Sequence, residues 1–176
     1  MKKTVVAVLL VASLGLTVLA AAAAAQQAAR KAAGPEGVLL RNWNDIGRKI
    51  IAMAEDWPAD KYNYRPNKQV RTFGQILAHV AEVNYYAINP ATGKSTKGLQ
   101  DDPKGYQTKA QIVAFVKKSF ADGAAALKAG GNAGAMAHLG DWVGIIEHSG
   151  EHYGNLVTYY RNNGVVPPES RPKSKK

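Results

Sequence analysis

Four histidines, at positions 79, 138, 148 and 152, are the residues best suited to do chemistry in this chain. His148 and His152 are four apart, which on a helix stacks their side chains on one face about one turn apart. Ile145, Leu156 and Tyr159 share that face, so it points inward. His79 lies in a second apolar stripe with Phe73, Ile76, Leu77, Val80 and Val83. Neutral imidazoles are common metal ligands, and an i,i+4 pair plus one ring from a facing helix can form three corners of a coordination polyhedron. Inward histidines can equally satisfy buried carbonyls, and the residues alone leave both readings open.

Other titratable groups surround the three histidines. Glu82, three after His79, is a candidate fourth ligand, general base or partner to a ligand, against the plainer reading of a helix-surface charge. Glu147 and Glu151 each precede a histidine by one residue, about 100° around the helix, and are expected in solvent. Tyr86, seven after His79, is expected in the core or lining a pocket. His138 lies in a glycine-rich stretch and reads as a surface histidine. There is no cysteine, so disulfides, thiolate nucleophiles, sulfur-ligated metals and lipidation are all excluded. No Ser-His-Asp arrangement, phosphate-cradling loop or paired-carboxylate motif stands out.

Positioning these groups falls to helices. Leu39, Trp43, Ile46, Ile50 and Ala54 recur at spacings of three and four after Gly34-Pro35, and Pro58 ends that helix. Residues 57–70 are an irregular connector rich in Tyr and Pro. Thr72 and Gln75 form a capping-box pattern opening the second helix, which Asn89-Pro90 should stop. Residues 91–107 read as a long crossover loop. A second capping box, Thr108 and Gln111, opens a helix carrying Ile112, Phe115, Val116, Phe120 and Leu127. Residues 130–140 hold four glycines and read as a loop. The last helix should run from near Asp141 to Asn162, with Gly164 as its left-handed cap and Pro167-Pro168 preventing resumption. No strand-like alternation of useful length appears. The expected fold is therefore all-α, a four-helix bundle with a long crossover loop.

The ends have a different character. Lys2 and Lys3, the apolar run from Val5 to Leu19 and the small residues from Ala20 to Ala25 form the pattern of a secretory signal peptide over residues 1–25. An uncleaved membrane anchor is the competing reading, because 22 residues from Thr4 to Ala25 suffice to span a bilayer. The six-alanine string favours cleavage, with no stable membrane insertion afterwards. Residues 26–34 then form a flexible lead-in, 35–168 one domain and 169–176 a basic disordered tail. Export to the periplasm or the medium follows as an expectation. Of the net charge of +10, Lys2 and Lys3 carry two and the segment after Pro168 a net three, leaving +5 on residues 4–168, two of it from Arg30 and Lys31 of the lead-in. No basic stripe interleaved with aromatics appears, so no nucleic-acid partner is expected.

The stretch Arg71-Thr72-Phe73-Gly74-Gln75-Ile76-Leu77-Ala78-His79-Val80-Ala81 resembles the first metal motif of DinB/YfiT-like proteins. Glu147-His148-Ser149-Gly150-Glu151-His152, continuing from Tyr159 through Gly164-Val165-Val166-Pro167-Pro168, is similar to their closing His-x3-His helix and its exit. The connector from Tyr62 to Pro66 also resembles theirs, so the likeness spans about residues 35–168. By this resemblance His79, His148 and His152 are the metal triad. It implies a bound divalent ion, zinc first with nickel and iron next, and leaves a homodimer open. One departure stands out: where the family often has Arg-Gly-Gln after the last histidine, this chain has Tyr153-Gly154-Asn155.

Two kinds of function follow. One is a metal-dependent enzyme, either a hydrolase or a transferase of the thiol type known among characterised relatives, acting on a small molecule. The other is a non-catalytic metal or ligand binder, a stress-related envelope protein. Export favours hydrolysis within the first, since oxidising compartments seldom hold the reduced thiol that a thiol transferase needs. Glu82 is then the one candidate base.

Overall fold

The computed structural model describes residues 33–172, so the signal-peptide expectation and most of the lead-in lie outside them. Of the expected disordered tail, residues 169–172 are described, and there Glu169 and Ser170 belong to a 3-10 turn and Arg171 pairs with Asp56. Five α-helices run in the order α1 (Pro35–Asp56), α2 (Phe73–Val83), α3 (Tyr85–Ala91), α4 (Lys109–Ala137) and α5 (Leu139–Asn162). Short 3-10 turns occupy Ala59–Lys61 and Pro168–Ser170. Among the described residues there is no strand, and no helix is long and apolar enough to cross a membrane. Counting α2 with its short continuation α3 as one arm, the domain is a four-helix bundle.

Local sequence starts the helices where expected. Thr72 accepts from the Gln75 N–H while the Gln75 side chain accepts from the Thr72 N–H, and Thr108 and Gln111 repeat the arrangement. Each box satisfies two backbone donors that a helix start leaves without partners. Lys109 closes the other end of α1, its Nζ donating to the carbonyls of Glu55 at 2.6 Å and Trp57 at 2.7 Å. A cation there also opposes the negative end of the α1 dipole.

The apolar stripes all turn inward. Trp43, Trp57, Trp142, Phe73 and Tyr160 are fully buried. Trp57 stacks on Phe73 with ring centroids 4.6 Å apart, and Tyr160 meets Trp57 at the same distance. Such pairs add about 0.5–1.5 kcal/mol each beyond burial. The approach of α1 and α4 depends on glycine. A Cβ on Gly123 would lie 2.1 Å from Trp43 Cζ2, and one on Gly47 would lie 2.6 Å from Phe120 Cδ1. Trp43 Nε1 donates to the Phe120 carbonyl at 2.8 Å, fixing the ring in that slot.

Three expectations are corrected. The glycine-rich stretch 130–140 is mostly helix. α4 kinks at Gly131, where φ is 57°, and then continues to Ala137. The alanines of that stretch are strong helix formers, Ala135 is buried, and Asn132 Oδ1 accepts from the Glu36 N–H at the start of α1. The second arm does end within a residue of Asn89-Pro90, at Ala91, but it is two helices, Phe73–Val83 and Tyr85–Ala91, with Pro90 inside the last turn. Asn84 is fully buried, with its amide donating to Ser119 Oγ at 3.0 Å. Tyr86 is 42% exposed rather than in the core or a pocket wall. Asn84 keeps helical dihedrals (φ −53°, ψ −31°) and the buried stripe continues through it as Val80, Val83, Ala87 and Ile88, which leaves Tyr86 outside that stripe.

Candidate metal centre

Capping at Thr72 sets the start of α2, and burial of Phe73, Ile76, Leu77 and Val80 sets its rotation. His79 shares that stripe and is 4% exposed. On α5, burial of Trp142, Ser149, Leu156, Tyr159 and Tyr160 turns His148 and His152 toward α2, both half-buried. The three rings meet. His148 Nε2 lies 3.0 Å from His79 Nε2 and 3.1 Å from His152 Nε2. Ligands at a metal–nitrogen distance of about 2.0–2.1 Å are separated by about 3.0 Å at right angles and about 3.4 Å at tetrahedral angles. Those two separations fall in that range, and all three ligand atoms lie within 4.8 Å of one another.

Hydrogen bonding tests whether these nitrogens fit a metal. His79 Nδ1 donates to the Asp101 carbonyl oxygen at 2.5 Å. A carbonyl only accepts, so in neutral His79 the proton sits on Nδ1 and Nε2 presents a bare lone pair. His148 Nδ1 is buried without a partner. Burial, with the neighbouring histidines second, holds the His148 and His152 pKa values below the usual imidazole range, His152 down to about 4. Both are therefore neutral near pH 7, the state in which imidazole ligates. Lone pairs converging at this spacing repel unless a cation or proton lies among them. The donor set fits a divalent metal ion, and the cluster His79, His148, His152 could hold one.

A cavity of about 640 Å³ opens beside His152, with Arg71, Asp102, Asn155, Thr158 and Ile76 in its wall. Arg71 is engaged there, Nη2 with Asp101 Oδ2 at 2.7 Å and Nε with Asp102 Oδ1 at 2.6 Å. The Arg71 guanidinium holds the Asp102 carboxyl below the usual carboxylate range. Asn155, from the tripeptide that departs from the family pattern, has its amide nitrogen 3.4 Å from His152 Nδ1. That departure therefore still supplies a polar group at the site.

The remaining candidates lie apart from the triad. Glu82 Oε1 accepts from the Gln100 N–H at 3.2 Å, and its carboxylate is not among the converging ligand atoms. Glu147 and Glu151 are exposed, as expected. His138 sits at the α4–α5 junction with Nδ1 3.3 Å from Asp141 Oδ2. Sequence reasoning missed Asp101, and no local signal marks it, since it lies in an irregular loop 22 residues from the histidine it holds.

No curated protein matches the chain. The family model described as the DinB superfamily matches residues 45–156. That span covers most of the bundle and includes all three converging histidines, so the motif resemblance and the geometry agree: the chain belongs to the DinB superfamily.

Proposed function

We propose that this is an exported metal-dependent enzyme of the DinB superfamily that hydrolyses a small molecule at a centre held by His79, His148 and His152. The observation that carries the reading is the convergence of three imidazoles beside an open cavity. When bound there, a divalent metal supplies a Lewis-acidic centre with coordination positions left for water or substrate. The chain's own residues supply shape and selection. Arg71 is already paired with Asp101 and Asp102, so recognition falls to the neutral groups of Gln69, Asn155 and Thr158 together with the Asp102 carboxylate. Pro66, Val70 and Ile76 give the wall an apolar share. These groups suit a compact, largely apolar molecule with a few hydrogen-bonding groups, and the cavity volume is within the ordinary range for small-molecule sites.

Hydrolysis is preferred over thiol transfer because the N-terminal pattern implies export, and oxidising compartments seldom maintain reduced small thiols. Tag-free protein should contain a divalent metal by elemental analysis. Metal-loaded protein is then assayed against ester, amide and lactone panels, with and without a glutathione-like thiol. Turnover without thiol is expected. Turnover only with thiol would replace hydrolysis by transfer, and none in either condition would leave a metal- or ligand-binding envelope protein.

A further inference from the structure

The three imidazoles are not held equally. His79 Nδ1 has a short bond to the Asp101 carbonyl and lies 3.2 Å from the Asp101 carboxylate. His148 Nδ1 has no partner, and His152 Nδ1 has only the Asn155 amide at 3.4 Å. The proton position of His79 is thus set by a residue of the crossover loop between α3 and α4. That loop has no regular secondary structure of its own around Asp101, so something outside it must keep the carbonyl in place.

Two residues flanking His79 in sequence do so. Before α2, Arg71 binds the side chains of Asp101 and Asp102. Within α2, Glu82 lies three residues after His79, on nearly the same face, and its Oε1 accepts from the Gln100 N–H at 3.2 Å. His79 and Glu82 therefore grip consecutive loop residues, 101 and 100, from adjacent turns of one helix.

We propose that Glu82 is a positioning residue of the metal centre. It holds the Gln100 amide and thereby sets the Asp101 carbonyl. The carbonyl keeps His79 as the Nδ1–H tautomer, with Nε2 free to ligate. Partners that orient a ligating histidine in this way typically contribute 10–100-fold to metal affinity. The role needs only an acceptor oxygen at position 82 and no negative charge, which separates it from a general base. This inference rests on the three-histidine reading, but its test includes a part that does not.

Zn²⁺ affinity is measured by competition with a chromophoric chelator for wild type, Glu82→Ala, Glu82→Gln and the exposed control Glu147→Ala. In parallel, long-range ¹H–¹⁵N spectra of the metal-free proteins report the His79 tautomer, and amide exchange reports protection at Gln100. Glu82→Ala should weaken Zn²⁺ binding about tenfold, expose the Gln100 amide and leave His79 in mixed tautomers. Glu82→Gln, which keeps an acceptor oxygen, should stay close to wild type in all three readouts, as should Glu147→Ala. Equal losses in the Ala and Gln variants, or an unchanged His79 tautomer in Glu82→Ala, would overturn the proposal. So would a wild-type His79 protonated on Nε2, whatever the variants do. If wild type binds no Zn²⁺, it is the three-histidine reading that fails, while tautomer and exchange still decide the role of Glu82.

Discussion

The hydroxyl of Tyr159 donates to the backbone carbonyl of Arg71 at 2.5 Å. Tyr159 follows His152 by seven residues on α5, and Arg71 leads into α2 and grips the loop that holds His79. This single bond ties the helix with two histidines to the segment that presents the third. Tyr159→Phe deletes the donor and should lower stability by about 1–2 kcal/mol in denaturant unfolding. Zn²⁺ affinity should fall with it. A variant as stable as wild type would show that the bond has no net worth.

Metal removal should be visible in stability. A ligand that binds only the folded state stabilises it by about 2.7 kcal/mol at a hundredfold excess over its dissociation constant. Chelator should therefore lower the melting temperature of wild type and His138→Ala. Alanine at 79, 148 or 152 should bind metal far more weakly and show little response to chelator. Equal chelator response in all four variants would contradict the triad.

Asp56 gives a pH dependence with a definite sign. Hydrogen bonding from Arg171 holds its carboxyl below the usual carboxylate value, helped by the Tyr160 hydroxyl. A carboxyl depressed in the folded state contributes stability that is fully present above its unfolded value, near 3.8, and is lost as pH falls through the lower folded value. Wild type should exceed Asp56→Asn in unfolding free energy by a constant margin from pH 7 down to about 5, and the margin should vanish in stronger acid. A margin that grew on acidification would refute the assignment.

Gly123 should be intolerant of even one methyl group. Alanine is the better helix former by about 1 kcal/mol, but its Cβ would lie 2.1 Å from the Trp43 ring. Because Trp43 is buried and bonded to the Phe120 carbonyl, the ring has little freedom to yield. Gly123→Ala should destabilise by about 1–3 kcal/mol. Gly130→Ala, where the added methyl meets nothing, is the control.

Export predicts a mature N-terminus between Ala20 and Ala25, checked by intact mass of protein from its native envelope or medium. A species beginning at Met1 that resists carbonate extraction would favour a membrane anchor instead.

By itself the sequence determined what helix geometry makes local. The boxes at Thr72 and Thr108 act within three residues, Gly164 adopts its positive φ of 68° where the last helix ends, and His148 and His152 share a face because they are four apart. The apolar stripes named the core correctly for the same reason. Local reading failed in two places: Tyr86, seven after His79, falls outside the buried stripe of Val80, Val83, Ala87 and Ile88, and the glycines of 130–140 masked a helical run that α1 and the core stabilise. The motif resemblance named His79, His148 and His152 together, but only the tertiary structure put the His79 ring 3.0 Å from one 69 residues away and set its proton by the Asp101 carbonyl. Those relations depend on how far α2 and α5 are rotated and slid against each other. Packing of side chains distant in the chain sets that register, and no spacing within a single helix encodes it.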